Sequence, residues 1–298
     1  MTGLVTRFAP SPTGLLHLGH AYAAGCAFGA AKEAGGTCLL RIEDIDETRC
    51  RPEFEAAIAK DLRWLGFDWP EPVRRQSDHL AGYTRALDRL IEDGLVYRCF
   101  KTRREVADAI ASAPHEAGEV YTGAPLPGAE ERSLLDGGQP YAWRLSLKAA
   151  RARLGANYDA LGFTVEALEP PHEAQTVKAR PKLFGDVVIA RKDAGTSYHL
   201  ASVHDDALQG VTHIIRGVDL AGSAHIHRLL QALLGYSPVI YRHHGLLTGP
   251  DGKRYAKRDR AVTLQALREA GHTPDDIGAL ISQHIAQGRI LRHEDMHG

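Results

Sequence analysis

The fold is decided by a stretch near the N-terminus, Arg7-Phe8-Ala9-Pro10-Ser11-Pro12-Thr13-Gly14-Leu15-Leu16-His17-Leu18-Gly19-His20. Its two prolines favour extended backbone at the residues before them, and the Thr-Gly pair supplies a turn. A helix is therefore predicted from about His17 to Ala34. On this helix His17 and His20 lie one turn apart on the same face, close to the N-terminus.

This helix start is a candidate phosphate site. The first turn of a helix has backbone N–H groups without intrahelical partners and a partial positive charge. Two imidazoles there can donate hydrogen bonds to phosphoryl oxygens as negative charge develops, and Gly19 leaves room for a flat base or ribose. For the pattern His-x-Gly-His alone, two histidines without a function remain an equal alternative.

The residues that follow predict an α/β protein. Residues 37–43 have the alternation of a strand, with Leu40 and Ile42 on one face and Arg41 and Glu43 on the other. A strand, a helix and a second strand in this order begin a parallel sheet, which binds ligands beyond the carboxyl ends of its strands. Glu43 lies at such an end, although a solvated loop is the alternative.

The rest of the chain continues the α/β pattern. Helical spacing of apolar residues predicts helices at 52–65, 77–93 and 226–234, and apolar runs predict strands at 186–191, 211–219 and 239–241, the last being the final strand. The carboxyl end of its strand brings Arg216 to the region where ligands are expected; an ordinary surface arginine is the alternative. Between 115 and 138 we predict long loops, and after 262 two helices, Thr263 to Ala270 and Pro274 to Gln287.

Composition excludes several classes of protein. The 298 residues include 36 basic and 37 acidic side chains, so no global field attracts nucleic acid. The four cysteines form no Cys-x-x-Cys pair, which argues against a disulfide framework. The sequence has no apolar run of the ~20 residues that span a bilayer and no signal-peptide core. A cytoplasmic protein without membrane contact is expected.

The N-terminal stretch resembles the adenylate-binding signature of class I aminoacyl-tRNA synthetases, in the form used by the glutamyl and glutaminyl members. The Arg-Ile-Glu-Asp-x-Asp pattern at 41–46 resembles the same family. Residues 254–258 are similar to its second signature, Lys-Met-Ser-Lys-Ser, and Lys257 falls on the second lysine. Arg254 and Ala256 depart from the first lysine and the serine. A solvated basic surface is the alternative for this run of five cations in eight positions, 253–260.

The resemblance implies a Rossmann-like parallel sheet that binds nucleotide, with an inserted α+β subdomain of the kind that approaches the acceptor end of tRNA. We predict the first half of the catalytic domain at 1–96, the insertion at 97–182 and the second half at 183–245. The second signature and a short helical segment occupy 246–298, with no anticodon-binding domain.

The resemblance also implies the chemistry, which is the activation of L-glutamate with ATP and Mg²⁺. His17, His20 and Lys257 would be catalytic, and together with Gly19 they would bind ATP. Arg7 would pair with the γ-carboxylate of glutamate, and Glu43 would hold its α-ammonium. The implied glutamate-binding residues are Arg7, Phe8, Ala9, Pro10, Ser11, Glu43, Tyr198 and Arg216.

Some members of the family hold zinc in the insertion with a Cys-x-Cys pair, a tyrosine and a further cysteine. This chain keeps Cys99 and Tyr121 but has Lys101 and Pro125 at the other two positions. A lysine and a proline cannot ligate zinc. We predict that no zinc is bound.

Full glutamyl-tRNA synthetases continue well beyond the second signature, whereas this chain ends at Gly298. It is similar to stand-alone paralogues that activate glutamate without tRNA and transfer it to the queuosine base in the anticodon of tRNA(Asp). The expected partners are L-glutamate, ATP and tRNA(Asp) carrying queuosine, and the expected state is a monomer. The alternatives are a truncated ordinary glutamyl-tRNA synthetase that charges tRNA(Glu), and a catalytically silent synthetase-like module that binds an amino acid or RNA.

Overall fold

The N-terminal strand, helix and strand form as the sequence predicts. The computed structural model describes residues 3–111, 120–249 and 262–292. It begins with β1 (Val5–Phe8), α1 (Leu18–Glu33) and β2 (Thr37–Ile42), and β1 pairs with β2 in parallel. The buried face of α1 is rich in alanine, so the helix backbone lies close to its neighbours. Gly35, with φ of 59°, adopts the left-handed conformation that ends the helix.

The described residues after β2 form helices and short strands. The helices are α2 (Pro52–Trp64), α3 (Leu80–Glu92), α4 (Arg103–Ala111), α5 (Gly128–Asp136), α6 (Leu147–Leu154), α7 (Ala156–Asp159), α8 (Tyr198–Leu208), α9 (Ser223–Leu234), α10 (Leu264–Glu269) and α11 (Pro274–Ala286). The strands are β3 (Arg74–Arg75), β4 (Val96–Cys99), β5 (Ala142–Leu145), β6 (Gly162–Glu166), β7 (Ala174–Lys178), β8 (Val188–Ala190), β9 (His213–Gly217), β10 (Ile240–His244), β11 (Leu246–Leu247) and β12 (Ile290–Leu291).

Parallel pairing brings four strand ends to one side of the molecule. One sheet has the order β1-β2-β3, and another has the order β7-β6-β10-β9, in which β10 is parallel to both β6 and β9. The N–H of Thr212 donates to the carbonyl of Val5 at 2.9 Å, so the start of β9 lies beside β1. The carboxyl ends of β1, β2, β9 and β10 therefore face the same region, as a Rossmann-like sheet requires.

Strand pairing crosses the predicted boundary between 182 and 183. β6 and β7, from the predicted insertion, extend the sheet of β9 and β10, while β8 pairs with β5 in the antiparallel sheet β4-β5-β8. The interpretation of 115–138 as loops was wrong where α5 forms; residues 112–119 lie outside the described part. The strand at 239–241 is not the final one, because β11 pairs with β12. These segments are short and contain Gly or Pro nearby, so their periodicity is weak.

The two predicted C-terminal helices are α10 and α11, capped by Thr263 and Thr273. The N–H of Leu264 donates to the carbonyl of Leu16 at 2.8 Å, and Leu264 is fully buried in the cluster around α1. The segment after the second signature therefore packs directly against the start of the first. Within the described ranges, no helix is both long enough and apolar enough to cross a bilayer.

Candidate active site

The two signature histidines lie side by side at the start of α1, with ring centroids 3.9 Å apart. The N–H of Gly19 donates to Nδ1 of His17 at 3.1 Å, and the N–H of His17 donates to Nδ1 of His20 at 3.2 Å. An Nδ1 that accepts a hydrogen bond carries no proton. In the neutral form, each of these two rings carries its proton on Nε2.

The helix start differs from the prediction of free backbone N–H groups. The N–H of Gly19 is bound by the ring of His17, and the N–H of His20 donates to the carbonyl of His17 at 2.9 Å. A Cβ at position 19 would lie 3.1 Å from Cε1 of His17, so glycine lets this ring cap the helix. The two histidine rings thus take up backbone N–H groups at this helix start. That Gly19 contacts a base stays a prediction.

A cavity of about 500 Å³ opens at the carboxyl ends of β1, β2, β9 and β10. It is lined by every predicted glutamate- and nucleotide-binding residue of the described part: Arg7, Phe8, Ala9, Pro10, Ser11, His17, Gly19, His20, Glu43, Tyr198 and Arg216. Lys257, with Arg254 and Ala256, lies outside the described residues, so its approach to this cavity stays a prediction.

Three buried charged side chains, Arg7, Asp206 and Arg41, and the partly buried Glu43 form what we call the ion chain. Nε of Arg7 and Nη1 of Arg41 both donate to Oδ1 of Asp206, at 3.0 and 2.7 Å, and Nη2 of Arg41 donates to Oε1 of Glu43 at 3.0 Å. Burial alone would raise the pKa of Asp206, but the two guanidinium groups hold it below its ordinary value. The four groups therefore alternate in charge from Arg7 to Glu43, the two members that line the cavity.

The ends of the ion chain have unpaired atoms. Within the described part of the protein, the two terminal nitrogens of Arg7 and Oε2 of Glu43 make no hydrogen bond. Both residues line the cavity. The ion chain thus presents a pair of donors at one end and an acceptor at the other.

Arg216 adds a second cation to this part of the cavity. The residue is 5% exposed, and its Nε and Nη2 atoms are buried without a hydrogen-bond partner among the described residues. Its Nη1 donates to the hydroxyl of Tyr198 at 3.3 Å, and its Cζ lies 4.9 Å from the ring centre of Tyr241. A buried guanidinium with unpaired donors is costly unless an anion binds there.

Two histidines, the buried His227 and the partly buried His199, lie next to Arg216. Nη1 of Arg216 lies 3.5 Å from Nδ1 of His227, and Nε2 of His227 lies 3.2 Å from Nδ1 of His199. Because arginine only donates, His227 must carry its proton on Nε2 and pass that hydrogen bond to His199. Burial and the charge of Arg216 lower the pKa of His227 well below its ordinary value and that of His199 to about 4. Both rings are therefore neutral at pH 7.

The chain matches the family model of the catalytic domain of class I tRNA synthetases (E and Q) over residues 3–283. It belongs to this family. A glutamyl-Q tRNA(Asp) synthetase from Rhodobacter capsulatus is 48% identical over 93% of this chain and 99% of the relative. Another, from Geobacter sulfurreducens, is 39% identical over 89% of this chain and 79% of the relative.

Solved structures agree on the fold of this class I synthetase domain. A glutamate tRNA ligase from Elizabethkingia meningosepticum, in complex with its amino acid, matches with a TM-score of 0.71 and 26% identity. The match covers 93% of this chain but 60% of that ligase. The protein is therefore similar in length to the first relative and much shorter than the solved ligase.

The zinc positions do not fit a metal site in this synthetase domain. Sγ of buried Cys99 lies 3.9 Å from the hydroxyl of Tyr121, and burial, followed by the proximity of Cys99, raises the pKa of Tyr121 to about 12. Lys101 is exposed and Pro125 has no ligand atom. Elsewhere in the described ranges, no group of three or more His, Cys, Asp or Glu side chains could hold a metal ion. The absence of zinc stays a prediction.

Asp186 connects several segments close to Tyr121. Asp186 accepts hydrogen bonds from the hydroxyl of Tyr97 at 3.0 Å, the N–H of Gly123 at 2.9 Å and the N–H of Leu147 at 3.0 Å. Its own N–H donates to the carbonyl of Tyr121 at 2.7 Å. These hydrogen bonds join β4, residues 121–123 and the start of α6 to the segment that leads into β8.

Sequence reasoning missed Arg41 and Asp206, the middle members of the ion chain, as well as the cavity residues Asp219 and His244. One signal could have found Asp206. Tyr198, Ser202 and Asp206 recur every four residues, so they share one face of α8. Ser202 donates to Glu43 at 3.2 Å and Asp206 accepts from Arg41 at 2.7 Å, so this polar face is turned towards the ion chain.

Proposed function

We propose that the protein activates L-glutamate with ATP in the absence of tRNA and then transfers the glutamyl group to the queuosine base in the anticodon of tRNA(Asp). Membership in the class I synthetase family supports the use of ATP. The names and lengths of the similar proteins support the acceptor, since the first relative matches this chain over 99% of its own length.

The observation that carries the proposal is the charge pattern at one end of the cavity. Arg7 and Arg216 have unpaired donors there, and Glu43 has an unpaired oxygen within the described part of the chain. L-Glutamate carries two carboxylates and one ammonium. Arg7 suits the γ-carboxylate, because its two terminal nitrogens form a planar fork. Glu43 suits the ammonium, while Arg216 and Tyr198 complete the pocket.

Activation joins the α-carboxylate of glutamate to the α-phosphorus of ATP. A carboxylate oxygen forms the new bond to phosphorus, the bond from phosphorus to the bridging oxygen breaks, and pyrophosphate leaves. Alignment and charge stabilisation are the protein's main contributions to such a step. His17 and His20 would donate from Nε2 to phosphoryl oxygens, and Lys257 would meet the phosphates as a compact charge.

Magnesium would come with ATP. A magnesium ion keeps most of its ligands from water and phosphate, so few protein oxygens are needed. An acceptor group on queuosine would then displace AMP from the adenylate and receive the glutamyl group. We propose the cytoplasm as the place of this reaction and a monomer as the active species.

Two assays test the proposal. Exchange of labelled pyrophosphate into ATP should require glutamate and should not require tRNA. Labelled glutamate should then pass to tRNA(Asp) that carries queuosine, and neither to the same tRNA without queuosine nor to tRNA(Glu). Charging of tRNA(Glu) instead would identify an ordinary glutamyl-tRNA synthetase activity. A folded protein without exchange would point to a silent binding module.

A further inference from the structure

The middle of the ion chain has no assigned role in the proposed reaction. Asp206 and Arg41 do not line the cavity, but they connect Arg7 with Glu43. The side chains of Arg7, Asp206, Arg41 and Glu43 are 6%, 3%, 0% and 12% exposed. The three hydrogen bonds that connect them are 3.0, 2.7 and 3.0 Å long. Because these bonds are short and the side chains have little contact with solvent, the distance from Arg7 to Glu43 cannot change without breaking a charged hydrogen bond.

We infer that the ion chain fixes the distance between Arg7, which binds the side-chain carboxylate, and Glu43, which binds the ammonium. This distance selects glutamate over amino acids of other lengths. Asp206 and Arg41 are positioning residues in this scheme. The inference rests on the proposed function, in which Arg7 and Glu43 bind the substrate.

The geometry of Arg41 makes the separation rigid. Its planar guanidinium donates to Asp206 through Nη1 and to Glu43 through Nη2, so one inflexible group fixes the distance between two carboxylates. Asp206 then holds Arg7 through Nε alone, which leaves the two terminal nitrogens of Arg7 for the ligand. Gln209 and Asp205 also contact Arg41, at 3.2 and 3.9 Å, and oppose its rotation.

Aspartate is shorter than glutamate by one methylene. If its ammonium sits at Glu43, its side-chain carboxylate falls short of Arg7 by roughly one carbon–carbon bond, ~1.5 Å. A hydrogen bond near 2.9 Å would then stretch beyond the range in which it counts as one. An amino acid one methylene longer than glutamate would instead be compressed against Arg7.

Asp206→Asn tests the inference while keeping the shape of the side chain. The neutral amide weakens the hold on Arg7, so the KM for glutamate in pyrophosphate exchange should rise about tenfold, as loss of ~1.4 kcal/mol of binding predicts. The value of kcat should change by less than about threefold, because this contact is far from the reacting phosphorus and is equal in the ground and transition states. Aspartate already fails to reach Arg7, so the preference for glutamate over aspartate should fall by a similar factor.

Asp61→Asn is the matched control. Asp61 is also fully buried and paired with an arginine, Arg268, at 3.1 Å, but it joins α2 to α10 and does not line the cavity. The Asp61→Asn substitution should lower the melting temperature and leave the KM for glutamate and the preference for glutamate over aspartate unchanged. If Asp206→Asn behaves in the same way, the ion chain is only structural and the inference is overturned.

The wild-type protein gives a second test that needs no variant. Aspartate and 2-aminoadipate, one methylene shorter and longer than glutamate, should both inhibit glutamate-dependent exchange at least tenfold more weakly than the glutamate KM implies. If aspartate and 2-aminoadipate inhibit with constants equal to the KM for glutamate, the length selection is overturned and the proposed function stays intact. If the wild-type protein shows no glutamate-dependent exchange, the proposed function is wrong and the inference falls with it.

Discussion

Replacement of Arg7 by lysine is the sharpest test of how the cavity binds glutamate. Arg7 uses Nε to hold Asp206 at 3.0 Å, and its two terminal nitrogens make no hydrogen bond within the described part of the chain. Lysine keeps the positive charge but has one nitrogen, which cannot bind Asp206 and a substrate carboxylate through two parallel bonds. Arg7→Lys should therefore weaken the binding of glutamate, while the electrostatic field in the cavity stays nearly the same.

The magnitude follows from the bonds that are lost. A hydrogen bond to a charged group contributes about 1.5–3 kcal/mol, and each 1.4 kcal/mol is a factor of about ten in binding. Loss of one such bond to the γ-carboxylate should raise the KM for glutamate about 10- to 150-fold. Because this carboxylate is remote from the reacting phosphorus, kcat should change by less than about threefold.

The assay is tRNA-independent pyrophosphate exchange at increasing glutamate concentration, with melting curves for each variant. Arg242→Lys is the matched control, because Arg242 is 6% exposed and binds Glu166 through Nε at 2.8 Å and Nη2 at 2.7 Å, but it does not line the cavity. It should lower stability and leave KM unchanged. A folded Arg7→Lys protein that saturates with glutamate as the wild type does would remove Arg7 from the substrate site.

Three further outcomes are expected. His20→Asn keeps an acceptor for the N–H of His17 but removes the Nε2 donor, so kcat should fall about 100-fold with little change in melting temperature; unchanged kcat would exclude a catalytic role for His20. Protein purified without added zinc should contain far less than one zinc per chain by elemental analysis, and a chelator should not shift its melting temperature. The free energy of unfolding should fall from pH 6.5 to pH 4, because His199 stays neutral when folded, with a pKa of about 4, but binds a proton when unfolded. His199→Gln should reduce that slope by up to roughly 1.4 kcal/mol per pH unit in urea titrations, and an identical slope would refute the low pKa.

The candidate site was predictable where chemistry follows directly from local sequence. The proline-rich approach to His17 sets the start of α1, and this alone puts His17 and His20 on one face. The carboxyl end of a parallel strand gave the locations of Glu43 and Arg216, because such ends converge in any parallel sheet. These rules need no knowledge of which distant segments meet, so they work from sequence.

The partners of these residues could not be predicted in the same way. Asp206 lies 165 positions from Arg41 and 199 from Arg7, and only the packing of α8 against the sheet brings them together. In sequence, Arg41 is one polar position on an alternating strand, which ordinarily indicates a solvent-exposed face. The structure buries it completely. The pairing of β6 with β10 was missed for a related reason, since a short strand shows too few alternations to reveal its partner.

Stability alone does not account for the ion chain. Removing four charged groups from water costs several kcal/mol each, and apolar residues of similar volume often stabilise a fold equally well or better. Unpaired buried polar atoms add further cost. Within the described residues they occur in the middle of the ion chain, at Nε of Arg41 and Oδ2 of Asp206, and unpaired atoms also occur at its two ends, on Arg7 and Glu43. Of the four residues, Arg7 and Glu43 line the cavity, so a ligand with complementary charges can offset the cost at these two ends, which is the arrangement expected of a binding site.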